Sequence, residues 1–362
     1  MYISAIAILA GASALGLVSP IVHASKHCPP ITGDFNVTYF RLYTENFDYD
    51  FINCKAYFGS LFNSTVLRKD LGTGKEEVLT FPGISGNDTF HLSGVLFNRR
   101  DAVYMAVGSA SAFKSGGVIL NGPNRLIKYN VFTNRVVYTA DVDPVLAQLK
   151  TLTGNSYNGF QDIAEDENGN AYFIATFGGA ILKVTPDGTP STFFYTTPVI
   201  VNGSSQPIWS SVFATRNVLV VWDAPIQKFL RFDTTSVDPG NTYTSFPLTN
   251  TPGRFDCDRL YLPMMFDDKI ALCSNGDGTY VFYSDDLWQS AKYLGLADST
   301  NTGGVPSASA QMSNSIYTNS EFFSDSGSVN SPGNRSVFPF TDITREVLNI
   351  VPSGVVNGSY GD

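Results

Sequence analysis

Charged residues are scarce in this sequence. Asp, Glu, Lys and Arg make up only 15% of the 362 residues, and the formal net charge is −9. No cluster of Lys and Arg is present to neutralise phosphates, which argues against nucleic acid as a partner. We expect the mild acidity to keep the protein soluble rather than to attract a cationic ligand.

Histidine and several catalytic motifs are also missing or rare. The chain has three histidines, and its four cysteines form no Cys-x-x-Cys pair, which argues against a structural zinc site. No Gly-x-Ser-x-Gly sequence surrounds a serine, which argues against a Ser-His-Asp hydrolase. Long amphipathic helical patterns are absent too, and only residues 145–150 and 285–291 suggest short helical turns.

The N-terminus predicts export. Ile3 to Val18 are apolar or small and carry no charge, and Val22-His23-Ala24 offers a cleavage point after Ala24. A basic segment before this run is lacking. The alternative is a membrane anchor, but about sixteen residues are fewer than the roughly twenty that span a bilayer, so stable insertion is not expected. The prediction is a signal peptide over 1–24 and one domain over 25–362.

Cysteines and glycosylation sequences support the same route. Two near pairs of cysteines suggest the bridges Cys28–Cys54 and Cys257–Cys273, although four cysteines permit three connectivities. Six Asn-x-Ser/Thr sequences predict N-glycosylation in the secretory pathway or outside the cell. They begin at Asn36, Asn63, Asn87, Asn202, Asn334 and Asn357.

Short strand patterns rich in Val, Ile, Phe, Tyr and Thr fill the rest of the chain. In the clearest unit, strands at 161–176 and 180–195 alternate with turns at Asn168-Gly169 and Asp187-Gly188. Four antiparallel strands in about 40 residues form one propeller blade. The same outer hairpin recurs six times, at 64–79, 125–138, 181–194, 228–246, 279–294 and 336–350.

An all-β, six-bladed β-propeller with four antiparallel strands per blade is therefore predicted. A β-sandwich is the alternative, but it does not predict one strand–turn–strand pattern six times. The segment 35–43 has strand character and precedes the first full blade. We expect it to complete the last blade and to cover that blade's open edge.

The third blade resembles the SMP-30/gluconolactonase superfamily of six-bladed propellers. The resemblance rests on Asp162-Ile-Ala-x-Asp-x-x-Gly-Asn-x-Tyr and Ile181-Leu-Lys-Val-x-Pro-Asp-Gly. It implies a divalent cation in the central channel, held by an acidic residue, an Asn and an Asp from different blades. Gln161 stands where that Asn is expected, and its extra methylene displaces the ligand oxygen. Asn158 is a nearby substitute.

The whole chain resembles a narrower group, the fungal secondary-metabolite propellers. The shared features are a signal peptide, paired cysteines, many sequons and degenerate blades with few charges. This group includes the trichothecene-cluster propeller protein and the hetero-Diels–Alderases of the eupenifeldin, xenovulene and pycnidione pathways. The resemblance implies a cofactor-independent cyclase acting on a terpenoid or tropolone–sesquiterpene intermediate.

Residues at the start of each innermost strand are expected near the channel mouth. We predict catalytic roles for His91, Gln161, Asp162 and Asp256, and substrate binding by Asn158, Trp209, Trp222 and Gln311. His91 would transfer a proton or donate to a carbonyl, unless it is only packed in the core. The two tryptophans would form an apolar wall, although Trp222 is as readily explained by blade packing.

Three functions follow from these patterns. The first is a cyclase or pericyclase that holds a hydrophobic small molecule in an apolar channel and needs no cofactor. The second is a lactonase that depends on a divalent cation in the channel. The third is a secreted binding propeller without catalytic activity. A dry aromatic pocket would favour the cyclase. A channel cation bound by at least three protein oxygens would favour the lactonase, and an apolar patch on a side face would favour the binding propeller.

Overall fold

Six blades, five with four strands and one with five, are the framework of the computed structural model, which describes residues 28–299, 303–328 and 330–355. The first strand, β1 (Phe35–Thr38), does not belong to the first blade. Blades 1 to 3 then follow in chain order. Blade 1 consists of β2 (Phe47–Asp50), β3 (Lys55–Ser60), β4 (Thr65–Asp70) and β5 (Glu76–Leu79). Blade 2 consists of β6 (Phe90–Phe97), β7 (Ala102–Ser109), β8 (Arg125–Asn130) and β9 (Arg135–Asp141). Blade 3 consists of β10 (Asn158–Glu165), β11 (Ala171–Phe177), β12 (Ala180–Val184) and β13 (Pro190–Tyr195).

A separate hairpin, β14 (Val199–Val201) and β15 (Ser204–Gln206), precedes blade 4. Blade 4 comprises β16 (Val212–Thr215), β17 (Val218–Asp223), β18 (Lys228–Asp233) and β19 (Thr244–Ser245). Blade 5 comprises β20 (Leu248–Thr249), β21 (Arg259–Tyr261), β22 (Ile270–Asn275), β23 (Gly278–Tyr283) and β24 (Ala291–Ala297). Blade 6 contains β25 (Ser309–Met312), β26 (Ser315–Asn319) and β27 (Val337–Asp342). In blade 5, β20 lies outside β24 and runs parallel to it.

Helices are few and short. They are α1 (Ala110–Lys114), α2 (Asp143–Thr153), α3 (Pro239–Thr242), α4 (Thr344–Ile350) and a 3-10 turn over Met264–Phe266. The helical pattern at 145–150 is thus confirmed by α2. Within the three described ranges, no helix is both long enough and apolar enough to cross a membrane.

The hydrophobic cores lie between neighbouring blades. Successive side chains of a strand point to opposite faces of its sheet, so each blade packs against one neighbour with each face. In β11, Phe173 joins the core shared with blade 2, whereas Ile174 joins the core shared with blade 4. Because both faces are covered, the second strands are apolar at almost every position, and all eight residues of β7 are buried.

Polar side chains of the inner strands tie consecutive blades together. The Asp48 carboxylate accepts hydrogen bonds from its neighbour Tyr49 N and from Phe97 N of blade 2, at 2.8 and 2.9 Å. Asp162 does the same for Ile163 N and for Val212 N of blade 4, both at 3.0 Å. Each buried carboxylate therefore satisfies two backbone donors and fixes the spacing of two blades.

Ring closure follows the predicted route. The strand β1 pairs antiparallel with β27, with Phe35 opposite Phe340, and so becomes the outermost strand of blade 6. A disulfide joins Cys28, just before this strand, to Cys54 at the start of blade 1. The second predicted disulfide, Cys257–Cys273, forms within blade 5. Disulfides of this kind are typical of proteins from oxidising compartments.

Two sequence-based details differ from the structure. Residues 344–350 form the helix α4 instead of the last strand of the sixth hairpin, because β1 already occupies the edge of β27. Residues 285–291 contain no helix; there the Asp286 carboxylate accepts from Gln289 N and Ser290 N and holds a turn. The predicted signal peptide and the sequon at Asn357 lie outside the described residues.

Candidate functional site

A cavity of about 260 Å³ opens at the end of the channel where the inner strands begin. We call it the upper cavity. Polar side chains from blades 1, 2, 3, 5 and 6 converge on it, and four phenylalanines supply apolar walls. Its principal lining side chains are Glu45, His91, Ser93, Phe113, Phe160, Gln161, Phe177, Asp258, Glu321 and Phe323.

Irregular pairing in two inner strands places polar side chains on this cavity. The register of β6 shifts between Leu92 and Gly94, and that of β10 shifts between Phe160 and Ile163. Such bulges turn a side chain away from the strict alternation of a strand. Ser93 and Gln161 lie within these two irregular segments, and both line the cavity.

The buried residue His91 stands in an aromatic corner of the upper cavity. Its ring contacts Phe62 and Phe113 edge to face, with centroids 5.1 and 5.2 Å apart. Burial, with a smaller contribution from Lys114, lowers the pKa of His91 to about 3. Its Nδ1 atom is buried without a hydrogen-bond partner. The imidazole is therefore neutral near pH 7, and its Nδ1 atom is free to accept a hydrogen bond.

Burial has the opposite effect on three carboxyl groups of the cavity, because it raises their pKa values. Burial, reinforced by Asp258, raises the pKa of Glu45 to about 8. Burial and Asp256 raise the pKa of Asp258 to about 7, and burial with both other carboxyls raises that of Glu321 to about 9. None of the three forms an ion pair with another described residue. Near neutral pH the cavity thus holds proton-bearing carboxyl groups beside a neutral base.

Gln161 connects two sides of the upper cavity. Its Nε2 donates to the backbone oxygen of Asp258 at 3.3 Å, and its Oε1 accepts from Thr176 Oγ1 at 3.3 Å. Glu45, Gln161 and Asp258 come from blades 1, 3 and 5, which is the kind of set that the lactonase resemblance implies. Among the described residues, however, no three His, Cys, Asp or Glu side chains are grouped closely enough to share a metal ion.

That set fits a hard cation incompletely. Calcium takes six to eight oxygen ligands, roughly, and magnesium requires nearly ideal octahedral geometry. Two carboxylates and an amide oxygen that already accepts from Thr176 supply fewer donors than either ion takes. The unpartnered Oε2 of Glu45 is the one buried oxygen of the set left free to bind a ligand.

A buried ionic layer closes the channel below the upper cavity. The Arg259 guanidinium donates to Asp48 Oδ2 at 3.2 Å, to Val95 O at 3.1 Å and to Phe47 O. Both members of the Arg259–Asp48 pair are 2% exposed in their side chains. Burial raises the pKa of nearby Asp162 to about 7, although Arg259 opposes the rise. The upper cavity is therefore a closed pocket and not one end of an open pore.

A second cavity of about 300 Å³, the lower cavity, lies where the inner strands of blades 2 to 5 end. Four of its charged side chains form two ion pairs. Arg99 binds Asp268 at 2.8 Å, and Thr215 Oγ1 donates to the same carboxylate at 2.8 Å. Arg100 binds Glu165 at 2.9 Å. These groups stabilise the turns between the first and second strands.

Of the eight site residues predicted from the sequence, His91 and Gln161 line the upper cavity, and the other six lie elsewhere. Asp162 and Gln311 are buried between blades, where Gln311 Oε1 accepts from Met265 N at 3.0 Å. Asn158 is buried and donates to Leu120 O at 3.4 Å. Asp256 lines a separate, open cavity of about 420 Å³ beside the Cys257–Cys273 bridge.

The expected tryptophan wall is not part of the cavity. Trp209 and Trp222 are both fully buried in the cores on either side of blade 4. Trp209 stacks on Phe194 with centroids 5.9 Å apart, and Trp222 stacks on Phe255 at 4.2 Å. Their size makes them suitable for filling the wedge between blades, so the aromatic walls of the cavity come from phenylalanines instead.

Glu45 and Glu321 are cavity residues that sequence reasoning missed. Glu45 precedes β2 by two residues, and Glu321 follows β26 by two. Glu45 therefore stands just ahead of an inner strand, whereas Glu321 stands at the end of a second strand, which reaches the same mouth. An acidic residue just before a first strand or just after a second strand is the sequence signal that points to both.

Comparison with known proteins places the chain near fungal biosynthesis proteins, although no family model matches it. It is 28% identical over 355 residues to trichothecene biosynthesis protein 14 of Trichoderma arundinaceum, covering 90% of this chain and 92% of the relative. It is also 28% identical over 348 residues to core trichothecene cluster protein 14 of Fusarium sporotrichioides, covering 90% and 89%.

Solved structures with the same fold are more distant in sequence. The major allergen Mala s 1 of Malassezia sympodialis superposes with a TM-score of 0.74 at 20% identity, over 86% of this chain and 96% of the allergen. A luciferin-regenerating enzyme superposes with a TM-score of 0.52 at 11% identity, over 85% and 95%. These likenesses concern the fold alone.

Proposed function

We propose that this chain is a ring-closing enzyme of secondary metabolism that binds a neutral, oxygenated terpenoid in the upper cavity. The observation that carries the proposal is the pairing of proton-bearing carboxyl groups with neutral His91 in one half-apolar pocket. A cavity of about 260 Å³ is near the lower limit of ligand pockets, so it suits a compact molecule. The similarity to two trichothecene cluster proteins supports the pathway class.

The chemistry requires little from the protein beyond positioning and proton transfer. Phe113, Phe177 and Phe323 would hold the hydrocarbon part in a folded conformation, close to that of the product. A carboxyl group of Glu45 or Glu321 would donate a hydrogen bond or a proton to a carbonyl or hydroxyl oxygen and draw electron density towards it. The neutral imidazole of His91 would accept a hydrogen bond from a hydroxyl group of the ligand and so orient it. A hetero-Diels–Alder reaction is the simplest such ring closure, because it needs only the hydrogen-bond donor and the folded conformation.

The experiment is conversion of a natural intermediate. Organic extract from a producing strain that lacks the gene is incubated with the purified protein and followed by liquid chromatography and mass spectrometry. Ring closure predicts one compound consumed and one formed, with equal mass or with loss of one water. His91→Phe keeps the aromatic packing but removes the ring nitrogens, and we expect it to slow the conversion. An unchanged compound that co-elutes with the protein would contradict catalysis and indicate a binding propeller.

A metal-dependent lactonase is a second candidate, favoured by the convergence of Glu45, Gln161 and Asp258 on one cavity. Titration calorimetry with Ca²⁺, Mg²⁺ and Mn²⁺, followed by a lactone-hydrolysis assay with each ion, distinguishes the candidates. Saturable binding that disappears in Gln161→Leu, together with ion-dependent hydrolysis, would favour the lactonase.

A further inference from the structure

Two neighbouring loops beside the upper cavity expose aliphatic side chains. The loop after α1 carries Val118 and Ile119, which are 62% and 48% exposed. The hairpin strand β14 carries Val199, Ile200 and Val201, which are 60%, 71% and 47% exposed. We call these five residues the apolar rim. Their exposure is unusual, because side chains of this type are normally buried.

The rim is continuous with the mouth of the cavity. Ser204 Oγ donates to Gly116 O at 3.0 Å, which joins the hairpin to the loop after α1. Gly116 and Phe177 both line the cavity, and Phe177 pairs with Ile208 just after the hairpin. A molecule entering the cavity from this side therefore passes the exposed aliphatic groups.

Charge is absent from both rim segments. No Asp, Glu, Lys or Arg occurs between Asp187 and Arg216, or between Lys114 and Arg125. In a chain with 15% charged residues and a net charge of −9, this leaves one electrically neutral face on an acidic protein. Aromatic residues and Arg, which dominate the binding energy of protein interfaces, are also missing from the five rim positions.

We propose that the apolar rim docks the protein onto the surface of an electrically neutral lipid bilayer. Aliphatic side chains on loop tips gain free energy when they enter the boundary between headgroups and acyl chains. Anionic lipids would repel the acidic body of the protein, so they should not strengthen the binding. Docking would bring the cavity mouth to the phase in which a hydrophobic ligand is dissolved. The inference concerns binding and does not depend on ring closure.

One consequence conflicts with a glycosylation prediction. Asn202 forms the hairpin turn with Gly203, between the two strands that bear the rim. A glycan on Asn202 would hold the rim away from a membrane. The proposal therefore requires Asn202 to stay unmodified, whereas the other sequons have no such requirement.

Vesicle flotation tests the proposal with the purified full-length mature protein. Vesicles of phosphatidylcholine, with and without phosphatidylserine, are compared for wild type, Val118→Ser/Ile200→Ser and the control Val237→Ser, a fully exposed valine outside the rim. With each kind of vesicle, we expect the control to float to the same extent as wild type. Phosphatidylserine should not increase the flotation of either protein. The double variant should bind at least about tenfold more weakly, with an unchanged melting temperature.

Three results would overturn the proposal. They are equal flotation of wild type and the double variant, no flotation of wild type, and a glycan at Asn202 found by mass spectrometry in protein from a secreting fungal host. A protein partner captured at the rim in the absence of vesicle binding belongs to the second case.

Discussion

The upper and lower cavities lie at opposite ends of the same inner strands, and they differ in how their charged groups are satisfied. At the lower end, Arg99 is paired with Asp268 and Arg100 with Glu165. At the upper end, Glu45, Asp258 and Glu321 face one another without cations among the described residues. A paired charge holds a turn in place, whereas an unpaired buried carboxyl destabilises the fold when it ionises. The paired charges of the lower end therefore suit a structural role, and the proposed chemistry depends on the upper end.

Matched substitutions at the two ends, Glu45→Gln above and Glu165→Gln below, should give the largest difference between the cavities. Glu45→Gln removes a proton donor, so we expect the conversion of the extract intermediate to slow by about 10²–10⁴-fold. Glu165→Gln loses the ion pair to Arg100 at 2.9 Å, so the free energy of unfolding should fall by about 1–3 kcal/mol, whereas the rate of conversion should not change. Equal rates for both variants in the assay would refute the assignment.

Gly94→Ala tests how closely the upper cavity depends on blade contact. A Cβ at residue 94 would lie 2.3 Å from the backbone oxygen of Gln161 and 2.8 Å from Ala106 Cβ. Blades 2 and 3 would have to separate, and we expect a loss of about 1–3 kcal/mol in urea unfolding. Gly354→Ala, where no atom lies within 4 Å, is the control and should change nothing. A neutral Gly94→Ala would show that the blades are not in rigid contact there.

The pH dependence of stability separates the two ends in another way. Raised pKa values mean that the folded upper cavity binds more protons than the unfolded chain, whose carboxyl groups titrate near about 4. Stability therefore falls as pH rises from about 4 towards the folded values of about 7 to 9. The triple variant Glu45→Gln/Asp258→Asn/Glu321→Gln should lack this part of the slope. We expect the free energy of unfolding of the variant, relative to that of wild type, to increase by at least about 1 kcal/mol between pH 5 and pH 9.

Denaturant unfolding at several pH values measures this effect. Parallel curves for the two proteins would mean that the three carboxyls ionise normally. Conversion by wild type should also decline as pH rises through about 8, because the proton donor is then lost.

The smallest expected effect concerns the two tryptophans beside blade 4. Trp209 Nε1 donates to Asp223 Oδ2 at 3.0 Å, whereas Trp222 Nε1 has no partner. Trp209→Phe should therefore cost about 1 kcal/mol more than Trp222→Phe in unfolding experiments, and neither should slow conversion. If Trp222→Phe slowed the conversion at unchanged stability, Trp222 would have the role in substrate binding that the sequence predicted.

The sequence predicted the fold more completely than the site. Alternating apolar residues and glycine turns occur locally, so five of the six outer hairpins, the closing strand β1 and both disulfides could be inferred from neighbouring residues. His91 and Gln161 were found because they lie at the start of inner strands. Asp162 occupies the same kind of position, yet the bulge in β10 directs it between blades.

What the sequence determined by itself is therefore the repeating unit and the covalent links, because strand periodicity, turn residues and cysteine spacing act over short distances. Only the tertiary structure decided which polar groups meet. Glu45 and Glu321 are separated by most of the chain, and the closing of the six blades into a propeller brings both to one cavity. Their raised pKa values, like the neutrality of His91, come from burial by other blades. No local pattern encodes such burial, since it depends on how six sheets pack around an axis.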